Sequence, residues 1–339
     1  MRHRLKDVAE RAGVSVKTVS NVVNGYLHVR PDTRARVQEA IAELNYRPNL
    51  SARNLRRGRT GVIALAVPEL DLPYFAELAR HVVTAAAERG WTVLIDQTGG
   101  SHEQERMVVA GIRDHMIDGL ILSPLALTGE DLAGGADGTP MVLLGERVDH
   151  GPADHVVIDN VAAARAATAH LVGLGRRRIA AIGAQRTAEG ASARLRLAGY
   201  RAALEAAGIA VDDRLVAPAA AWHRADGAAA MRTLLTTGVR PDAVFCFNDT
   251  LALGALRTLH ESGLRVPEDV AVAGFDDIED GRFAIPTLST ITPDKERIAR
   301  LAVDLLAARL DGDRDAPAQA LTAPHRLTPR ESTLGRPDR

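Results

Sequence analysis

The chain has 339 residues, 25% of them charged and 46% hydrophobic, with a net charge of −1, a profile that suits two or three soluble globular domains. It holds no apolar run of the ~18 residues a membrane helix needs. The opening MRHRLKDVAERAGV has no apolar stretch of a secretory leader, and the single cysteine, Cys246, excludes a disulfide framework and a cysteine-based zinc site. A cytoplasmic, nucleoid-associated protein without metal or cofactor is the expectation.

The near-neutral total hides an asymmetry. Residues 1–59 carry thirteen Lys and Arg against five Asp and Glu, whereas the remainder is net −9. A basic head on an acidic body points to a polyanionic partner at one end, although a solvated charged surface would look the same by composition.

In the head, Leu5, Val8, Ala9 and Ala12 recur at helical spacing. Gly13 suits a left-handed helix stop, and Ser15 is placed to cap a second helix. That helix buries Val19, Val22 and Val23, turns Val16, Lys17, Thr18, Ser20 and Asn21 outward, and ends at Asn24-Gly25. A third helix spans about Pro31 to Leu44, with Val37, Ala40, Ile41 and Leu44 on its apolar face and Pro31 at its first position. Three short helices with a glycine turn between the first two make a helix-turn-helix, whose second helix enters the major groove. There Lys17 suits guanine O6 and N7, Asn21 suits adenine, and Val16 suits a thymine methyl. Thr18 and Ser20 suit phosphate oxygens. The pattern alone is equally that of the polar face of a small bundle.

Pro48 breaks the third helix, and Asn49 can cap a short one in which Ala52 and Leu55 share a face ringed by Arg53, Arg56, Arg57 and Arg59. Such a segment is marginal as an isolated helix and suits minor-groove insertion with Leu55 as the wedge. A basic linker is the alternative reading of its composition.

The runs LKDVAERAGVSVKTVSNVVNG and TRARVQEAIAELNYRPNLSARNL resemble the headpiece and hinge of the lactose/galactose-repressor (LacI/GalR) family. The resemblance implies that Val16, Lys17 and Asn21 read bases and that Ala52 and Leu55 enter the minor groove. Ser15, Thr18, Ser20, Asn24, Arg30 and Asn49 complete the set expected at the DNA. Arg30 departs from the Ser-type cap usual before the third helix, but a basic residue there can reach a phosphate.

From Thr60 onward apolar runs alternate with helix-length segments: 62–67, 93–95, 120–122, 141–144, 155–158, 179–183, 243–247 and 270–275. This is the pattern of parallel sheets covered on both faces. The stretches SARLRLAGY, FNDTLALGALRTLHESGLRVPEDVAVAGFDD and IPTLSTI resemble the same family's core, a fold shared with periplasmic sugar-binding proteins. The resemblance implies two doubly wound parallel-sheet subdomains joined by three crossovers. The domains expected are a headpiece at 1–45, a hinge at 46–59, a core at 60–331 and a tail at 332–339. Within the core the subdomains divide as about 60–160 with 291–322, and about 161–290 with 323–331.

Ligands in open parallel sheets bind beyond the carboxyl ends of strands. Asn248 and Asp276 end apolar runs, Glu146 follows MVLLG, Tyr74 and Phe75 fall in the loop after VIALAV, Arg196 lies near a helix start, and Trp222 lies in a loop. Donors and acceptors of this kind bracket vicinal hydroxyls, and an aromatic face covers the apolar side of a pyranose. By resemblance Arg196, Asn248 and Asp276 fall on sugar-contacting positions, whereas Glu146 stands where Asp is common. Asp249 reads as a helix N-cap rather than a ligand group, and Asp277 as a turn residue.

No GxxxxGKS/T loop, GxSxG elbow or HExxH pair occurs. The expected protein is therefore not an enzyme but a homodimeric regulator of near-palindromic operator DNA, with a sugar-like effector. A purine effector, or a stand-alone carbohydrate-binding protein, remains the alternative.

Overall fold

The computed structural model describes residues 4–23, 26, 28–46, 59–110, 116–135, 138–146, 148, 153–185, 190–236, 238–313 and 316–336. Asn24, Asn49, Ala52 and Leu55, expected at the DNA, lie outside the described residues. The chain divides into two compact units, Met1–Gly61 and Val62–Arg339.

The first unit holds α1 (Leu5–Ala12), α2 (Val16–Val23) and α3 (Pro31–Glu43). Gly13 closes α1 at φ 62°, a left-handed conformation that costs glycine no Cβ clash. The Ser15 hydroxyl then accepts the Thr18 amide at 3.1 Å, which caps α2 as its sequence implies. Arg30 precedes α3 without a side-chain cap, and Pro31 supplies the preset first turn. Val8, Val19 and Val37 are fully buried at the centre, with Tyr46 packed against them. An Arg11–Glu43 ion pair at 2.6 Å ties α1 to the end of α3.

The second unit is two α/β lobes. In chain order the first contributes β1 (Val62–Val67), α4 (Pro73–Glu88), β2 (Thr92–Gln97), α5 (His102–Val109), β3 (Gly119–Leu122), α6 (Gly129–Gly135), β4 (Met141–Leu144) and β5 (Asp154–Ile158). The second lobe follows with α7 (Asn160–Gly173), β6 (Ile179–Ala184), α8 (Ala191–Ala206), β7 (Val216–Pro218), α9 (Arg224–Thr236), β8 (Ala243–Cys246), α10 (Asp249–Glu261), β9 (Ala271–Phe275), α11 (Glu279–Phe283) and β10 (Ser289–Pro293). The chain returns to the first lobe with α12 (Lys295–Leu310) and β11 (Ala320–Ala323), then closes with β12 (His325–Thr328) and α13 (Glu331–Leu334) in the second.

The first sheet runs β11-β5-β4-β3-β1-β2 and is parallel throughout. The second runs β12-β10-β9-β8-β6-β7 and is parallel except where β12 lies antiparallel to β10. The chain thus crosses between lobes at Asp159, Asp294 and Pro324. The last two crossings are tied by the Asp294 N–H donating to the Pro324 carbonyl at 3.0 Å.

The central strands β3, β8 and β9 are buried along their whole length, as continuous apolar runs require. Tyr200, Phe245, Phe247 and Phe275 are among the largest fully buried side chains, and burying each such ring contributes roughly 1.5–3 kcal/mol. Helices α9 and α10 meet backbone to backbone. A Cβ on Gly227 would stand 2.1 Å from the Leu251 carbonyl oxygen, and one on Gly254 2.0 Å from that of Arg224. Only glycine permits that approach.

Candidate functional sites

In the head, Val16 and Lys17 are exposed at the start of α2, and Thr18, Ser20 and Asn21 are half-buried along the same helix. Val16 is 42% exposed, an apolar side chain left in water at the tip of a helix whose other valines face the core. Ser15 and Thr18 hydroxyls lie 2.9 Å apart, so both serve the cap. Exposed Arg30 pairs with Asp32 at 3.2 Å, and Arg34 donates to the Tyr26 carbonyl at 2.6 Å, fixing the loop before α3.

In the second unit a cavity of about 340 Å³ lies between the lobes, at the carboxyl ends of both sheets. Tyr74, Phe75, Glu146, Arg196, Trp222, Asn248 and Asp276 all line it, so the structure brings the seven residues expected at the effector to one place. Tyr74 and Phe75 correct the expectation in one respect. They form the first turn of α4, set by Pro73, rather than a loop. Their rings meet edge to face at 5.3 Å.

Arg196, in the second turn of α8, is the centre of the site. Its Nε donates to Asn160 Oδ1 at 2.7 Å and its Nη1 to the Phe247 carbonyl. The guanidinium carbon stands 3.5 Å from the centroid of Phe275 and 5.2 Å from that of Trp222. Burial lowers the proton affinity of this arginine, and the Asp276 and Glu146 carboxylates oppose that loss. Trp222 is held by its indole N–H donating to the Gly183 carbonyl at 3.1 Å.

Asn248, not Asp249, is the N-cap of α10. Its Oδ1 accepts the Leu251 amide at 2.8 Å while its Nδ2 donates to the Trp222 carbonyl at 3.0 Å. Asp249 is fully buried one position later, where Thr290 Oγ1 donates to it at 2.6 Å and the Ile278 amide at 3.0 Å. The capping expectation for Asp249 fails because the β8 run ends one residue earlier than its apolar letters suggest, which moves the helix start onto Asn248. Burial beside Asp276 raises the Asp249 carboxyl well above the usual range.

Asp276 has φ 111° and Asp277 φ 48°, conformations that side chains other than glycine rarely adopt and that gather at ligand sites. The turn is pinned by buried Lys295, whose Nζ donates to the carbonyls of Asp276 at 2.6 Å and Asp277 at 3.0 Å and pairs with Glu77 at 2.6 Å. Burial pushes the Asp276 carboxyl up to about 7, against the pull of Arg196 and Lys295. Asp277 faces the other way. Burial alone would raise it, but Arg282 at 2.9 Å and Arg330 at 2.6 Å hold it below the usual range. Glu146 accepts from Ser192 Oγ at 2.9 Å and from the Ile158 amide at 3.3 Å. Burial, with the nearby Asp276 and Glu146 charges, keeps the Tyr74 phenol protonated.

The sequence reading missed Asn160, Ser192, Glu77, Lys295, and the pair Glu69–His223. The signal for Ser192 was its place in the first turn of the helix that carries Arg196. The others are brought in from distant segments. Among the described residues, Glu69, Asp71 and His223 also offer three potential metal-ligating atoms within 4.8 Å of one another. No described helix is long and apolar enough to cross a membrane. Cys246 is buried in β8, where burial pushes its thiol up and away from reactivity.

Residues 4–49 match the family described as bacterial regulatory proteins, lacI family, and residues 168–333 a periplasmic binding protein-like domain. The chain is 34% identical over 308 residues to the ribose operon repressor of Escherichia coli (strain K12), covering 90% of this chain and 92% of that one. It is 36% identical over 311 residues to the transcriptional repressor PurR of Haemophilus influenzae (strain PittEE), covering 90% of each. Among solved structures, a LacI-family regulator of Sanguibacter keddieii shares 52% identity at a TM-score of 0.75, over 82% of this chain and all of that one. The lac repressor dimer bound to operator and the anti-inducer ONPF shares 32% at 0.83, and the regulator CelR in complex with cellobiose 36% at 0.70. Each covers 98% of this chain and all of its own. With these matches across nine-tenths of its length, and a two-lobed core with a cavity between the lobes, the chain belongs to the LacI family of bacterial regulatory proteins, as a DNA-binding transcription regulator with an effector-binding core.

Proposed function

We propose that this regulator represses carbohydrate-utilisation genes and is controlled by a small sugar-like effector in the interlobe cleft. The observation that carries the reading is the convergence of Arg196, Asp276, Glu146 and Trp222 on one cavity. It offers fixed donors, fixed acceptors and an aromatic face, and buried polar groups of that kind reject ligands that lack matching hydroxyls. The names of the ribose repressor and of the CelR–cellobiose complex support it.

Val16, Lys17 and Asn21 read bases, Ser15, Thr18, Ser20 and Arg30 position the helix, and Leu55 with Ala52 enters the minor groove. Two heads on a homodimer read a near-palindromic site, because protein and site share a two-fold axis. The dimeric operator complex of the lac repressor supports this assembly, as do the strongly exposed Phe283 and Ile285 on the second lobe. A soluble cytoplasmic regulator without enzymatic activity fits this role. A purine corepressor is the second reading, favoured by the Tyr74–Phe75 pair lining the cleft.

A gel shift with the upstream region of the protein's own operon, repeated with sugars and purines, tests the reading. The full chain should shift that DNA and release or tighten it with one ligand class. A chain lacking residues 1–59 that retained specific binding would overturn the assignment of the head.

A further inference from the structure

We infer that the edge of the cleft binds a divalent transition-metal ion of the zinc class through Glu69, Asp71 and His223, and that the ion bridges the two lobes. The site stands whichever effector the cleft takes.

The three donors come from both sides. Glu69 and Asp71 lie between β1 and α4 on the first lobe, and His223 directly precedes α9 on the second. Their ligand atoms lie within 4.8 Å of one another, and His223 Nε2 stands 2.7 Å from Glu69 Oε2. Around a tetrahedral ion with bonds of about 2.1 Å, donors stand roughly 3.4 Å apart. The His223–Glu69 pair therefore opens by less than about 1 Å to admit the ion. Side chains that all reach solvent can make that movement.

Charge favours the ion over the pair alone. A ring nitrogen facing two carboxylates offers one proton, which serves one of them. The Asp71 carboxylate is left over, since among the described residues no hydrogen bond or ion pair engages it. A dication accepts all three donors at once and offsets both negative charges. The donor set also selects among cations. Calcium and magnesium take oxygen ligands, whereas one imidazole with two carboxylates suits zinc, which in open sites keeps three protein ligands and a water.

The backbone under the donors is anchored on each lobe. Gln97 Oε1 accepts the Leu70 amide at 3.0 Å, between the two carboxylates, and the Gly99 amide donates to the Pro68 carbonyl at 2.8 Å. The His223 amide donates to Asp226 Oδ2 at 3.3 Å, and the adjoining Trp222 carbonyl accepts Asn248 Nδ2 at 3.0 Å. Donors held in this way lose little freedom on binding. Because the lobes must be close for the three to share an ion, metal binding and lobe closure favour each other.

The test is calorimetric titration of zinc chloride into the full chain, stripped beforehand with a chelator that is then dialysed away. The parent should bind one equivalent. His223→Gln, Glu69→Gln and Asp71→Ala should each weaken that binding by at least about tenfold, the scale on which even the loss of an outer-shell partner acts. Loss in both H223Q and E69Q, which lie on opposite lobes, is the signature of a bridge. Magnesium chloride should not bind at this site. No stoichiometric zinc binding by the parent, an affinity unchanged in any of the three variants, or magnesium binding as tightly as zinc overturns the inference.

Discussion

His223 Nε2 lies 2.7 Å from Glu69 Oε2, and the two residues belong to different lobes: Glu69 follows β1 and His223 precedes α9. The Asp71 carboxylate lies within 4.8 Å of both groups. Glu69 also lines the cavity, so this contact joins the lobes at the edge of the cleft. Both side chains are about one-third exposed, and pairs in that setting contribute ~0.2–1 kcal/mol. Glu69→Gln and His223→Gln should each speed effector release by a few-fold and leave operator affinity of the ligand-free chain unchanged. Stopped-flow release with the sugar identified by titration measures this. Unchanged release in both variants would show the contact to be idle.

Asp276 makes the core sensitive to pH. Its carboxyl is raised to about 7 in the fold, chiefly by burial, whereas an unfolded aspartate titrates near ~3.9. The folded chain therefore holds a proton that the unfolded chain has released, and stability falls as pH rises from about 4 through about 7. Asp249, raised in the same sense, adds a slope that remains in Asp276→Asn. Denaturation midpoints between pH 5 and pH 8 should fall less steeply in D276N than in the parent. Effector hydroxyls that donate to the ionised form should release protons near neutral pH, visible as a buffer-dependent binding enthalpy. Parallel slopes in parent and variant would assign the pH response elsewhere.

The backbone contact between α9 and α10 should be intolerant of a methyl group. Gly227→Ala and Gly254→Ala each place Cβ about 2 Å from a carbonyl oxygen, and overpacking of this kind costs roughly 1–3 kcal/mol. Gly173→Ala, at the end of α7 with nothing within 4 Å of its Cβ, should be neutral or slightly stabilising. Thermal unfolding of the three variants compares them directly. Equal midpoints would mean the helices can separate without loss.

The head separates cap from contact. Ser15→Ala should cost ~1 kcal/mol of helix stability through the lost bond to the Thr18 amide. Lys17→Ala should leave head stability intact and weaken operator binding by about tenfold or more, with little change on scrambled duplex. Anisotropy titrations against both duplexes at fixed salt decide it. An equal loss on both would make Lys17 a phosphate contact.

The architecture was written in local patterns. Runs such as VIALAV and VAVAGF announce buried parallel strands because a strand covered on both faces can be apolar at every position. Gly13 and Ser15 announce the turn because their conformational and capping preferences need no distant partner. The strands β7, β10, β11 and β12 were not marked by such runs. Segments such as STITP and HRLT are polar, and β10 is buried because α7 and α13 pack on it while β9 and β12 flank it.

The cleft was legible to the same degree. Strand ends located Asn248, Asp276 and Glu146, and the family resemblance supported Arg196. What those groups do was decided by atoms far away in the chain: Asn160 and Phe247 on Arg196, Lys295 and Glu77 on the Asp276 turn, and Glu69 on His223. Hydrogen-bond partners and desolvation are properties of a three-dimensional neighbourhood. Residue type and spacing can therefore name a carboxylate, but only the packed fold sets its proton and its neighbours.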